Sequence, residues 1–126
     1  MRLLTPRFIA QWQGRLLNIH PALLPAYRGL HTHERALADG VKIHGCTVHF
    51  VVPAMDGGPI IAQAAVPVLS SDTPETLAAR VLAQEHIIYP AALAWVAGGC
   101  CCVQGNRVTL RGAQVEFPPL RVPSCK

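Results

Sequence analysis

Between residues 41 and 68 the chain carries two long apolar runs separated by a short break. In the first, Cys46, Val48 and Phe50 alternate with Thr47, His49 and Val51. A period of two in a stretch rich in Val, Ile, Thr and Phe predicts a strand over 41–52. The second run predicts another over 60–68, and the intervening "PAMDGGP" predicts a tight loop over 53–59. The two strands therefore read as an antiparallel pair.

The flanks have a different rhythm. Thr5-Pro6 is a helix start, Phe8, Ile9 and Trp12 give it one apolar face, and Gly14 stops it. A short buried strand is predicted over 15–19, a loop over 21–29 and a short helix over 31–38, ended by Asp39-Gly40. Downstream, Asp72 and Glu75 have the spacing of a capping box. The helix they open should run to Ala97, kinked or split by Pro90 and ended by Gly98-Gly99. A small hairpin is predicted from 103–110 and 113–117, turning at Arg111-Gly112, with an irregular tail over 118–126. No internal repeat and no second domain interrupt 1–126.

Composition narrows the function classes. The chain has 126 residues, 51% of them hydrophobic and 14% charged, which fits one domain with a real core. The net charge is +4, but the basic residues are scattered without aromatic interleaving, so no nucleic-acid partner is expected. No apolar run is long and uncharged enough for a membrane span, and "MRLLTPRF" is not a secretory leader. Five cysteines, three of them adjacent at Cys100–Cys102, make a poor disulfide framework and point to a reduced, cytoplasmic setting. His31, His33, His44, Cys46 and His49 form a loose set that matches no metal spacing, so no metal is expected.

Candidate chemistry lies at the end of the first strand. Asn18 and His20 are two residues apart, so on an extended chain they share a face, and Pro21 ends the strand there. An amide and an imidazole at a strand's carboxyl end can donate together to a developing oxyanion. The alternative is a turn-forming Asn18 and an ordinary loop His20. Asp56 sits before Gly57-Gly58, which let the backbone approach a ligand, although a turn aspartate needs no more than that. Near His20, its carboxylate would raise the imidazole pKa. Glu85, on the long helix, reads either as a site residue or as a solvated acid.

Four stretches, "MRLLTPRF", "GRLLNIHPALLPAYRGLHTH", "HGCTVHFVVPAMDGGPII" and "RVLAQEHIIYPAAL", resemble the phosphoribosylglycinamide formyltransferase family of the formyltransferase superfamily. The resemblance runs from Met1 to Val122. It implies an α/β fold, a three-layer sandwich of a mixed sheet with flanking helices. It implies transfer of a formyl group from 10-formyltetrahydrofolate to glycinamide ribonucleotide, with Asn18 and His20 on the oxyanion and Asp56 supporting His20. Met1, Arg2, Leu3 and Leu4, with Val52, Pro53, Ala54, Met55 and Asp56, would line the folate pocket together with Asn18. Leu82, Ala83, Gln84 and Glu85 would face the ribonucleotide, and His31 and His33 would line the cleft. No metal is implied.

The same resemblance implies that the N-terminal βαβ units of a Rossmann-like domain, with their phosphate-gripping loop, do not precede Met1 here. The first strand should then expose a pairing edge, inviting self-association, and the chain alone should be inactive or weakly active. Two other functions compete: a deformylase-type hydrolase acting on the same folate, and a non-catalytic remnant or partner fragment.

Overall fold

A computed structural model describes residues 16–52, 57–112 and 117–123. The element order is β1 (Leu17–His20), α1 (Thr32–Asp39), β2 (Ile43–Phe50), β3 (Ile60–Pro67), α2 (Pro74–Ala97), β4 (Cys101–Gln104) and β5 (Arg107–Leu110). The strands form one sheet in the order β1-β2-β3-β5-β4. All neighbours are antiparallel except β3 and β5, which run parallel, so the sheet is mixed and the α/β class holds.

The alternation in β2 decides what packs where. Cys46 joins Val66, Leu77 and Val81 in one buried cluster, and Val48 and Phe50 join Ile61 and Ala92 in another. Leu77, Val81 and Ala92 belong to α2, so the even-numbered residues of β2 face that helix. Leu17 and Ile19 of β1 pack into the same clusters. Thr47 and Gly45 therefore turn to the opposite face. There the loop after β1 folds back over the sheet: Thr47 Oγ1 donates to the Ala22 carbonyl at 2.7 Å. It accepts from Leu24 N at 3.1 Å and from Gln63 Nε2 at 3.0 Å. One donor and two acceptor positions exhaust a hydroxyl, and Thr47 is fully buried. Gln63, opposite Thr47 in the β2–β3 ladder, also donates to the Leu24 carbonyl.

The N-cap of α2 is Thr73, not Asp72. Thr73 Oγ1 accepts from Thr76 N, and the Thr76 hydroxyl returns a bond from Thr73 N, a reciprocal cap. Asp72 is instead drawn into a bidentate pair with Arg80, at 2.7 and 2.9 Å, and accepts from Leu69 N. A twin-bonded guanidinium outcompetes a capping role, and it holds the Asp72 carboxyl well below the usual range. The helix continues through Pro90 to Ala97 unsplit, because the contacts of Leu77, Val81 and Ala92 hold both halves to the sheet.

The hairpin also differs from expectation. It turns at Gly105-Asn106, and Cys101 and Cys102 open β4. Gly105 has φ 62°, the left-handed first position of a two-residue hairpin turn, which glycine adopts without steric cost. Phe117 to Pro123 has no helix or strand, in line with an irregular tail. The helix expected after Thr5 and the strand expected over 113–117, up to residue 116, lie outside the described residues. No described helix is long and apolar enough to cross a membrane.

Thr47 yields a direct test. In Thr47→Val the Ala22 carbonyl and Leu24 N–H lose a buried partner, so urea unfolding should show a loss of about 1–3 kcal/mol. Thr47→Ser keeps the hydroxyl and should recover most of it. An unchanged midpoint in Thr47→Val would contradict the role assigned to this hydroxyl.

Candidate active site

β1 is long enough to present Asn18 and His20, and then stops. The ladder sets Asn18 opposite His49 and His20 opposite Thr47. The Asn18 amide is oriented by its own backbone: Oδ1 accepts from Ile19 N at 2.9 Å. With the oxygen so used, the amide nitrogen is the end that can donate elsewhere. His20 is buried, and its Nε2 lies 2.8 Å from the Tyr27 carbonyl. A carbonyl only accepts, so Nε2 carries the proton and is a donor.

Tyr27 is held from the side of α1. Its backbone is left-handed, φ 52°, and so are Gly29 and His31 beyond it. The Tyr27 hydroxyl donates to Asp39 at 2.8 Å, and the Arg35 guanidinium lies over its ring, 5.3 Å from the centroid. Arg35 also donates to the Arg28 and Leu30 carbonyls. The segment that places a carbonyl on His20 is thus clamped at both ends, by Thr47 below and by Arg35 and Asp39 above.

His33 and His44 form a second imidazole pair, Nδ1 to Nε2 at 3.2 Å, with rings perpendicular. His44 is 1% exposed, and burial, helped by His33 and His20, lowers its pKa to about 4. Burial also lowers that of His33. Between two neutral rings that contact is one N–H···N hydrogen bond, one nitrogen donating and the other accepting. His31, in contrast, stands on the surface at the start of α1, where its Nδ1 lies 3.2 Å from Glu34.

Glu85 is half-buried on α2. Burial raises its pKa, opposed by His86 and His20, so its carboxyl is within electrostatic reach of His20. Cys46 is close to it as well. Burial first, then Glu85, pushes the Cys46 thiol up to about 11, which makes it an unreactive core group. Gln84 is half-buried, whereas Leu82 and Ala83 are exposed.

The connection expected to supply Asp56 is constrained at its far end. A Cβ at Gly58 would run into the Phe50 carbonyl, so only glycine fits there. Phe50 N donates to the Pro59 carbonyl, closing the connection. Val52 is half-buried at its near end. Asp56, Pro53, Ala54 and Met55 lie outside the described residues, as do Met1, Arg2, Leu3 and Leu4. Among the described residues no group of three or more His, Cys, Asp or Glu side chains could hold a metal ion.

The structure therefore sets Asn18 and His20 on one face of β1, with Glu85 and His44 within electrostatic reach of His20 and His33 beside His44. Tyr27, Thr47 and Gln63 were not anticipated. Their contacts to this region span seven to 39 residues of chain, and no local spacing reveals such contacts.

A family model described as formyl transferase matches residues 1–93. The chain belongs to that family. It is 50% identical over 119 residues to the phosphoribosylglycinamide formyltransferase of Escherichia coli K12, covering 94% of this chain and 55% of that protein. Among solved structures, the phosphoribosylglycinamide formyltransferase of Anaplasma phagocytophilum superposes with a TM-score of 0.87 at 44% identity, covering 91% of this chain and 57% of that one. A formyltetrahydrofolate deformylase from Pseudomonas syringae pv. tomato superposes at 0.84 but with 28% identity, covering 87% and 37%. The chain spans about half the length of the E. coli relative it matches.

The buried imidazole pair makes a pH prediction. A histidine whose folded pKa lies below its unfolded value resists protonation when folded. Its stabilising contribution is complete above the unfolded value, about 6.5, and is lost as pH falls through the folded value. Stability should therefore fall between about pH 6.5 and pH 4, and NMR should find the His44 ring titrating near 4. A midpoint at the ordinary histidine value would contradict the assigned burial.

Proposed function

We propose that this chain carries the catalytic centre of a phosphoribosylglycinamide formyltransferase, transferring a formyl group from 10-formyltetrahydrofolate to the amine of glycinamide ribonucleotide. The likeness to the E. coli enzyme over 94% of the chain carries this reading. The site supports it chemically. The acceptor amine adds to the formyl carbon, and the carbonyl oxygen becomes an oxyanion. The Asn18 amide nitrogen can donate to such a charge, and so can His20 through Nδ1 when the ring is protonated, its Nε2–H being held by the Tyr27 carbonyl; each donor is worth about 3 kcal/mol in a preorganised site. The carbon–N10 bond then breaks, N10 takes a proton and the new amide nitrogen loses one. His20, supported by Asp56, serves as the group that hands on protons. Glu85, within reach of His20, serves the ribose hydroxyls of the acceptor, with Leu82, Ala83 and Gln84 beside it.

Met1 to Leu4 and Val52 to Asp56 line the folate pocket in this reading. The reaction needs two substrates held together, which itself lowers the barrier by several kcal/mol, and it needs no metal. The setting is cytoplasmic. A deformylase reading has weaker support, since the deformylase structure is 28% identical against 44% for the Anaplasma transferase.

Single-turnover measurement with enzyme in excess tests this at low activity. Formyl transfer should depend on the ribonucleotide acceptor, and His20→Ala should slow it about 100- to 10,000-fold, with folate binding retained. An unchanged rate in His20→Ala would remove His20 from the mechanism, and loss of the formyl group at the same rate without the ribonucleotide would reject the transferase reading.

A further inference from the structure

Tyr27 holds a backbone conformation that suits glycine better. Its φ is 52°, in the left-handed region where a Cβ crowds the backbone. Gly29, two residues on, takes a positive φ without that cost. A strained residue beside a reaction centre persists where its surroundings over-determine it. Tyr27 is so placed. Its carbonyl accepts from His20 Nε2 at 2.8 Å. Its ring is held by three groups: the hydroxyl donates to Asp39 at 2.8 Å, the Arg35 guanidinium lies 5.3 Å from the ring centroid, and the His44 ring meets it near-perpendicular at 6.0 Å.

Arg35 is itself anchored. Its Nη1 donates to the Arg28 carbonyl at 2.6 Å and to the Leu30 carbonyl at 3.2 Å. One guanidinium thus fixes both the ring of Tyr27 and the backbone that follows it. Arg35 and Asp39 belong to α1, and α1 is tied to the end of β1 by Thr32, whose hydroxyl donates to the Pro21 carbonyl at 2.6 Å. The helix therefore bridges the residue after His20 and the residue that bonds to its ring. We propose that Arg35 and Asp39 are positioning residues for His20: through Tyr27 they keep a carbonyl on Nε2, which fixes the ring and makes Nδ1 the nitrogen where the proton of formyl transfer is exchanged. The proton given to N10 leaves Nδ1, and the one lost by the new amide nitrogen returns to it, so the ring ends as it began. This rests on the reading of His20 as the group that hands on protons. It adds two side chains of α1 to which neither spacing nor the resemblance gave a part in the chemistry.

Exchange of the imidazole N–H with water reads the contact on the chain itself, without turnover. In nitrogen-15-labelled protein the His20 Nε2–H should exchange about fivefold faster in Asp39→Ala, in Tyr27→Phe and in Arg35→Met, the factor that loss of one such contact carries. Single-turnover formyl transfer should slow by a like factor, with both substrate affinities kept. Asp39→Ala added to Tyr27→Phe should change nothing further, because each removes the same bond. Asp39→Asn, which keeps an acceptor, should restore the wild-type values. Thr76→Ala, which loosens the cap of α2, should lower the thermal midpoint and move neither rate. Additive losses in Tyr27→Phe and Asp39→Ala, or exchange that Thr76→Ala accelerates as much, would overturn the proposal and leave His20 in the mechanism. Faster exchange with unchanged transfer would overturn it as well, His20→Ala alone deciding whether His20 acts at all.

Discussion

Thr47 uses its whole hydrogen-bonding capacity inside the protein, and the candidate site depends on it. Its hydroxyl binds the backbone on both sides of Leu23 and the side chain of Gln63 on the neighbouring strand. A loop that follows a four-residue strand would otherwise have to carry its polar backbone across an apolar sheet unpaired. Once pinned there, the loop returns toward β1, and the Tyr27 carbonyl meets His20 Nε2. The orientation of the one imidazole central to the chemistry thus follows from a buried hydroxyl on a different strand. The same face alternation that sends Thr47 to the loop sends Cys46 and Val48 to α2, so core and site are two consequences of one period-two pattern.

The site joins groups with unlike environments. His44 is kept neutral by burial, Glu85 has its carboxyl pKa raised by burial, and His20 lies within electrostatic reach of both. Around a reacting carbonyl, such a setting favours fixed dipoles and shared protons over a cluster of full charges. Formyl transfer asks for this combination. The nucleophile is a neutral amine and the charge appears only as the bond forms. Cys46, whose thiol burial pushes up to about 11, offers no competing nucleophile.

Much of this was legible in the sequence where the signal is local. The alternation from Cys46 to Phe50, the matching run from Ile60 and the Gly98-Gly99 stop of the long helix each announce their element. Asn18 and His20 could be paired from spacing alone, whereas the two glycines after Asp56 were read as room for a ligand and Gly58 makes its close approach to the Phe50 carbonyl. The failures have specific causes. Asp72 and Thr73 both have capping chemistry, and the choice between them was made by Arg80, a turn and more along the helix. Gly105-Asn106 is itself a hairpin signal, but the apolar cysteine run obscured the strand before it. His31 and His33 share one expectation but not one environment: His31 stands at the exposed start of α1 and His33 is half-buried against His44. Tyr27 enters through its backbone carbonyl, which no side-chain pattern encodes.

In the proposed reading the donors at the end of β1 serve transfer to an amine rather than release to water. The fate of the formyl carbon tests it most directly. With the formyl group of 10-formyltetrahydrofolate labelled with carbon-13, and glycinamide ribonucleotide present, NMR under single-turnover conditions should find the label in the formamide of the ribonucleotide. The donor should persist when the ribonucleotide is omitted. Label appearing as free formate at the same rate with and without acceptor would contradict the claim and make the centre hydrolytic.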